Sequence, residues 1–451
     1  MQLPFGLSAY SRANGRLPPV RLVNLYHEQA PTSTTGAVLL PRPGLQLEYD
    51  LGAPIRGLRR DDGVFNGDLF AVAGNKLFRG EDLVGLIEDD TFSVEWAYTV
   101  DGLWVASGGI VYQYDGTTLT PTAFPDSAPV ISICDIDNFL FAVRQDTGTV
   151  YFRVPGDTTW NALDFFSAER EPDPAIAVRA LADALYVFGT SSIESFGITG
   201  DVDQPAVRIE GLAISRGCKD RDSISKLDNT LFFTGEDNID YRIDGVPQRI
   251  SDHGIEERIE ASDAVHAFSY SLSGHTFRII RLDSETLGYD VATGQWHQLD
   301  WPVASGIYDG KRTYVSAGSA IHTLRDRPDD NGETFERIFT AVAATETVGA
   351  CDAIEVTLSP GTSPIGSEPA ILQMRWSDDQ SRTWSDWKEA QTGFGGQYRK
   401  RVRYRRLGMI DAPGRVFEFR MTDPIEIRFS GVEMNPCLLY TSDAADDTPC
   451  V

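Results

Sequence analysis

One unit recurs along most of this chain. A polar turn is followed by a short apolar strand, a Gly- or Asp-containing turn, and a second strand. "NGDLFAVAGNKLFRG", "VDGLWVASGGIVYQYDGTTL", "IDNFLFAVRQDTGTVYFRV", "LADALYVFGTSSIESFGITG", "LDNTLFFTGEDNIDYRIDG", "SGHTFRIIRLDSETLGYDVATGQW" and "DGKRTYVSAGSAIHTL" are its copies. Leu69, Leu103, Leu140, Leu185, Leu231, Phe277 and Tyr314 hold equivalent places in them, roughly 35 to 45 residues apart, the period of a four-stranded propeller blade. A single blade cannot bury both faces, whereas blades packed around an axis cover one another and expose only short edges. The repeats predict an all-β chain with a β-propeller of six or seven blades between Ile55 and Leu324. A pair of sandwiches would explain the strands but not the period.

Outside the repeats the pattern changes. Residues 1–54 are proline-containing and poor in alternation, which predicts an extended N-terminal arm lying over the propeller at 55–335. "DRPDDNG", Asp326–Gly332, has linker composition. Residues 336–436 read as strands of a small C-terminal β-domain. Residues 437–451 break with that pattern, resemble the in-frame translation of a sequencing adaptor, and are set aside. "SDHGIEERIEAS" is the best short helix, with Ser251 or Asp252 as cap and Ile255 and Ile259 on one face.

The formal net charge of −26 disfavours loose binding to nucleic acid. No apolar run reaches the ~18 residues of a membrane span, and no signal-peptide pattern opens the chain, so no membrane insertion is expected. Cys134, Cys218 and Cys351 lack C-x-x-C spacing and read as small buried hydrophobes. The histidines form no ligand pair. No catalytic residue, cofactor site or metal site is expected.

"RWSDDQSRTW" nearly matches the Asp-box of sialidases and other propellers. Ser377, Asp379, Thr383 and Trp384 fit, with Ser381 in the usual glycine position. The motif's chemistry is that of a hairpin turn, and Ser in place of Gly either costs about 1 kcal/mol or changes the turn. A glycosidase would need two carboxylates facing across a cleft, and no nucleophile motif accompanies the turn. The sharpest charge feature is "QYRKRVRYRRLGM". As a strand it puts Arg399, Arg401, Arg403 and Arg405 on one face. Such a row should meet Glu418, Asp423 and Glu426 in the same domain, an acidic neighbouring subunit, or DNA phosphates.

"VNLYHEQA", "LLPRPGLQL", "LYVFGTSSIESFGITGD", "SRGCKDRDSISKLDN", "GYDVATGQWHQL" and, near the end, "RWSDDQSRTWSDW" and "DPIEIRFSGVEM" together resemble the packaged-DNA stabilisation proteins, or tail accessory (hub) proteins, of P22-like short-tailed bacteriophages. The resemblance implies a non-enzymatic homohexameric ring below the portal and its adaptor ring. It also implies that the ring extends the DNA exit channel, retains packaged double-stranded DNA, and receives the tail needle and tailspikes. Its place would be the virion tail, after assembly in the host cytoplasm. The alternative is a propeller glycoside hydrolase or glycan-binding protein acting on host surface polysaccharide.

Overall fold

The seven equivalent positions are all buried and fall on, or for Leu69 next to, the first apolar strand of each repeat, which is the second strand of its sheet or, for Phe277, of its hairpin. This is a computed structural model, which describes residues 1–11, 19–30, 36–227, 229–346, 348–359, 368–394, 397 and 401–437. It divides into two units, one made of Gln46–Ser284 and Trp301–Leu324, the other of Met1–Leu45, Glu285–Asp300 and Arg325–Val451.

The first unit is the β-propeller. Six four-stranded sheets form it. The first runs through Ile55–Arg59, Phe70–Ala73, Lys76–Arg79 and Asp82–Leu86, each strand antiparallel to the one before. Four more begin at Glu95–Thr99, Val130–Ile136, Ala175–Leu181 and Ser225–Leu227. The last combines Ser305–Tyr308, Thr313–Ala317 and Ala320–Arg325 with Gly44–Asp50, a strand from before the first repeat. The hairpin His266–Leu272 and His275–Arg281 lies between the fifth sheet and this last one. The blades bury their faces on one another through Phe70, Leu103, Phe141, Val187 and Phe233. Asp240 and Arg278 form a fully buried ion pair at 2.6 Å, completed by Ser225, Thr234 and the Ser223 carbonyl. The hydrogen bonds made by both ions are what makes such a pair tolerable. The expected helix is His253–Glu260, with the Asp252 carboxylate accepting from the N–H groups of Gly254 and Ile255 and both isoleucines buried.

The second unit is a β-sandwich. In one sheet Gly349–Leu358 pairs with Phe429–Cys437 and Val402–Arg405; in the other Gly414–Met421 pairs with Arg337–Ala344 and Ile371–Ser377. Phe339 stacks on Phe419 at 4.8 Å and meets Phe429 at 4.7 Å in the shared core. Among the described residues no helix is long and apolar enough to cross a membrane.

Three sequence expectations change here. Residues 1–54 are not a separate arm. Leu3 pairs with Val432, Leu22 with Phe339, and Leu39 with Phe429, and all three leucines sit in the sandwich core. Burial of these widely spaced leucines, rather than local alternation, fixes the segment. The second half of the sixth repeat, Thr286–Asp290 and Gln295–Leu299, groups with the sandwich unit, where Val23 pairs with Gln298. The stretch Asp326–Gly332 is no loose linker, because the buried Arg42 guanidinium grips Asp330 at 2.7 Å, Asp300 at 3.1 Å and Asn24 at 2.9 Å. Strand Phe429–Cys437 runs to the first residue of the stretch set aside, and 438–451 lie outside the described residues.

Candidate functional site

In the Asp-box-like turn, the Ser377 hydroxyl donates to Asp379 at 2.8 Å, and the Ser381 N–H donates back to Ser377 at 2.8 Å. Asp379 also accepts from the N–H groups of Arg382 and Thr383 and from the Thr383 hydroxyl at 2.6 Å. These bonds, led by that of the Thr383 hydroxyl, pull the Asp379 pKa down to about 2. Its oxygens therefore organise a turn rather than face a substrate. Ser381 keeps the glycine conformation, with φ +70°. Behind the turn the Arg375 guanidinium lies 4.5 Å from the Trp384 ring centre and 4.6 Å from that of Trp387.

Of the arginine row, Arg399 lies outside the described residues. Arg401, Arg403 and Arg405 share the exposed face of Val402–Arg405 while Val402 and Tyr404 are buried, the alternation a strand imposes. Their partners differ from those the sequence suggested. Arg401 reaches Glu355 at 3.0 Å and Arg403 comes within 4.0 Å of Asp352. The reason is topological: this strand pairs with Gly349–Leu358, Glu355 opposite Arg403. Glu418 belongs to the other sheet, where its buried carboxylate is taken by Arg375 at 2.5 Å and Arg21 at 2.9 Å. Asp423 accepts from the Ile371 N–H at 2.7 Å, and Glu426 is exposed. Arg405 has no ion pair among the described residues. Val402–Arg405 is the last strand of its sheet among them.

Sequence reasoning missed the axis of the propeller. First strands line such an axis, and here they carry a charged cluster. Arg179 donates to both Glu95 oxygens at 2.6 and 2.8 Å, and the Ser132 hydroxyl donates to the same carboxylate at 2.8 Å. Arg221 crosses to the Ser93 carbonyl at 3.0 Å and to that of Ile131. Asp222 accepts from Ser93 and lies 3.4 Å from His266. Burial pushes the Asp222 carboxyl up, but the His266, Arg221 and Ser93 contacts outweigh it and hold the carboxyl below its ordinary range. Trp96 fills the space beside Gly57, where a Cβ would come within 2.8 Å of its indole nitrogen. Two chambers, of about 160 and 320 Å³, share Trp96, Glu95 and Arg179 as lining. A water takes about 30 Å³ of liquid volume, so each chamber has room for several waters. The signal in the sequence was a lone charge inside each of the apolar strands "EWAYT" and "AIAVRAL".

Comparison with known proteins decides the family. Residues 1–326 match the model of the bacteriophage P22 Gp10 β-propeller, and residues 335–436 that of the P22 Gp10 β-sandwich. The chain belongs to this family. The tail hub protein gp10 of Salmonella phage P22 is 25% identical over 299 residues, which cover 59% of this chain and 61% of that protein. The match thus spans less than two thirds of the relative. Among solved structures, BamB from Moraxella catarrhalis aligns at 10% identity and TM-score 0.42, covering 72% of this chain and 97% of its own. YCF48 from Cyanidioschyzon merolae aligns at 10% identity and TM-score 0.44, covering 62% and 99%.

Proposed function

We infer that this protein is a structural, non-enzymatic tail hub component of a short-tailed phage virion. In this reading copies form a homohexameric ring below the portal and adaptor rings. The ring extends and seals the DNA exit channel, and it receives the tail needle and tailspikes. The observation that carries the reading is the consecutive match of propeller and sandwich to the two P22 Gp10 models over residues 1–326 and 335–436.

Two physical features support it. The propeller axis is occupied by Trp96 and the Glu95–Arg179 pair, so a passage for DNA has to lie between copies of the chain rather than through one propeller. The charge of −26 suits a wall past which DNA slides, since each fixed phosphate contact would add binding energy. The alternative of a glycoside hydrolase or glycan binder gains nothing from the Asp-box-like turn, whose carboxylate is occupied by four hydrogen bonds. Arg401, Arg403 and Arg405 are the candidates for contact with an adjacent subunit, and Arg405 is the one of these three without an ion pair among the described residues.

The test is a phage lacking this gene. Its heads should package DNA and then lose it, as measured by nuclease-sensitive genome release from purified particles. Particles that retain their DNA and fail only at adsorption would replace the channel-sealing role with receptor binding.

A further inference from the structure

Each four-stranded sheet of the propeller ends, among the described residues, on an outer strand with an unpaired edge. Most of these edges are blunted. Leu119–Pro121, Phe165–Ser167 and Ala206–Arg208 are three residues long, Val246–Arg249 carries Pro247, and Gly44–Asp50 carries Glu48 and Asp50. Short length, proline and charge are the usual means of stopping another chain from adding to an edge. The first sheet lacks them. Its outer strand Asp82–Leu86 has five residues and no proline, and no charge interrupts Leu83–Ile87. Along its outer side it presents the N–H and C=O groups that the ladder with Lys76–Arg79 leaves unused.

The side chains of this strand reinforce the edge. Leu83 stands opposite Phe78 and Leu86 opposite Lys76, with Val84 as the extra residue of a β-bulge. A bulge can itself blunt an edge, but this one turns two leucines, rather than a charge, to one face of the sheet. They are 55% and 62% exposed. Phe78, on the same face, packs with Tyr49 on the apolar cluster between the first and last sheets. Leu47, 42% exposed, lies two residues from Tyr49 in its strand and shares its face. Apolar side chains thus flank the unpaired backbone of Asp82–Leu86.

Charge selects what can pair there. Glu81 and Asp82 precede the apolar run and Glu88 follows it, and all three are exposed without an ion pair among the described residues. Lys76 is exposed on the neighbouring strand, while Arg79 is paired with Asp68 at 2.6 Å. A second copy of the same edge, paired antiparallel, would set Glu81 and Asp82 against Glu88, and like charges facing across strands repel. An incoming strand with basic ends meets carboxylates at both.

We propose that Asp82–Leu86 is a docking edge for an extended segment of another protein, one with apolar side chains at alternate positions and lysine or arginine at its ends. Main-chain hydrogen bonds supply the pairing, and Leu83 and Leu86 receive its apolar side chains. The inference rests on this edge alone and stands or falls independently of the tail-hub reading.

The full chain is titrated, by fluorescence anisotropy, with a labelled peptide of alternating valine and threonine flanked by two lysines at each end. One control peptide carries glutamates in place of the lysines, and another a proline in the middle. Saturable binding at one site per chain is expected for the lysine peptide. The glutamate peptide should bind about tenfold more weakly, and the proline peptide, which lacks a ladder N–H, at least as weakly. The double variant Leu83→Thr, Leu86→Thr should weaken the lysine peptide about tenfold, whereas Leu163→Thr, at an exposed leucine of the third sheet's surroundings, should leave it unchanged. The proposal is overturned if the lysine peptide does not saturate, if either control binds as tightly, or if the double variant, folded by circular dichroism, binds like the parent. Self-association of the chain alone that the double variant abolishes, measured by sedimentation, would give the edge to a second copy and overturn it as well.

Discussion

In the propeller, strands that follow one another in the chain lie side by side, so that sheets such as Glu95–Thr99 to Leu119–Pro121 are complete within some thirty residues. In the sandwich, Gln2 faces Glu433 and Leu22 faces Phe339. The two regions have similar apolar cores but opposite ways of recruiting them. The propeller repeats a local solution, and the sandwich joins the two ends of the chain. The expectation is that the sandwich can be broken from either end of the chain while the propeller sheets remain folded.

The largest expected effect uses that difference. Leu3 and Leu25 are fully buried in the sandwich core. The double variant Leu3→Ala, Leu25→Ala should destabilise it by roughly 4–10 kcal/mol if the two cavities act independently. Hydrogen exchange should show protection lost in Gly414–Met421 and Phe429–Cys437, hundreds of residues away, and kept in the strands from Glu95 to Arg208. Equal loss in both regions would mean that the units unfold together, and the contrast would be only one of connectivity.

Asp240→Asn tests the propeller from its side. It leaves the Arg278 guanidinium fully buried with its partner's charge removed. A destabilisation of about 3–5 kcal/mol is expected, with exchange protection falling first in Thr230–Thr234 and His275–Arg281. If the sandwich strands open before these, the ion pair is not what holds that part of the ring.

The smallest effect is a divergence with pH. In the sandwich unit, burial lowers the His297 pKa to about 4, and Gly288 leaves the space its ring occupies. Its unfolded form takes up a proton near pH 6.5 and its folded form does not. Its contribution is therefore present above that pH and is lost as pH falls towards 4, on the order of 2–3 kcal/mol. In the propeller, the hydrogen bond to Asp222 raises the His266 pKa, with Asp220 and Asp283 adding to it. That contribution is present below the unfolded pKa and lost as pH rises through the folded one. Region-resolved exchange at pH 5 and pH 7.5 should show the sandwich gaining protection with pH and the propeller around His266 losing a little. Parallel trends, or no change in the trend with His266→Gln, would remove the distinction.

The reach of the sequence follows the same division. The period, the turn residues and the buried second-strand positions from Leu69 to Tyr314 were legible because each repeat stores its own hydrophobic pattern within a few residues. The helix cap at Asp252 and the alternation of Val402 and Tyr404 with Arg403 and Arg405 were legible for the same reason, since capping and strand periodicity act locally. What the arginines pair with was not. Glu355 rather than Glu418 faces them because one sheet holds Gly349–Leu358 beside Val402–Arg405 while the other holds Glu418. Nor could the chain alone place residues 1–54, where a few leucines scattered among prolines find strand partners at the opposite end. The axial cluster of Glu95, Trp96, Arg179 and Lys226 belongs to the same class. Glu95 and Trp96 come from one blade and Arg179 and Lys226 from two others, and only the closing of the ring brings them together.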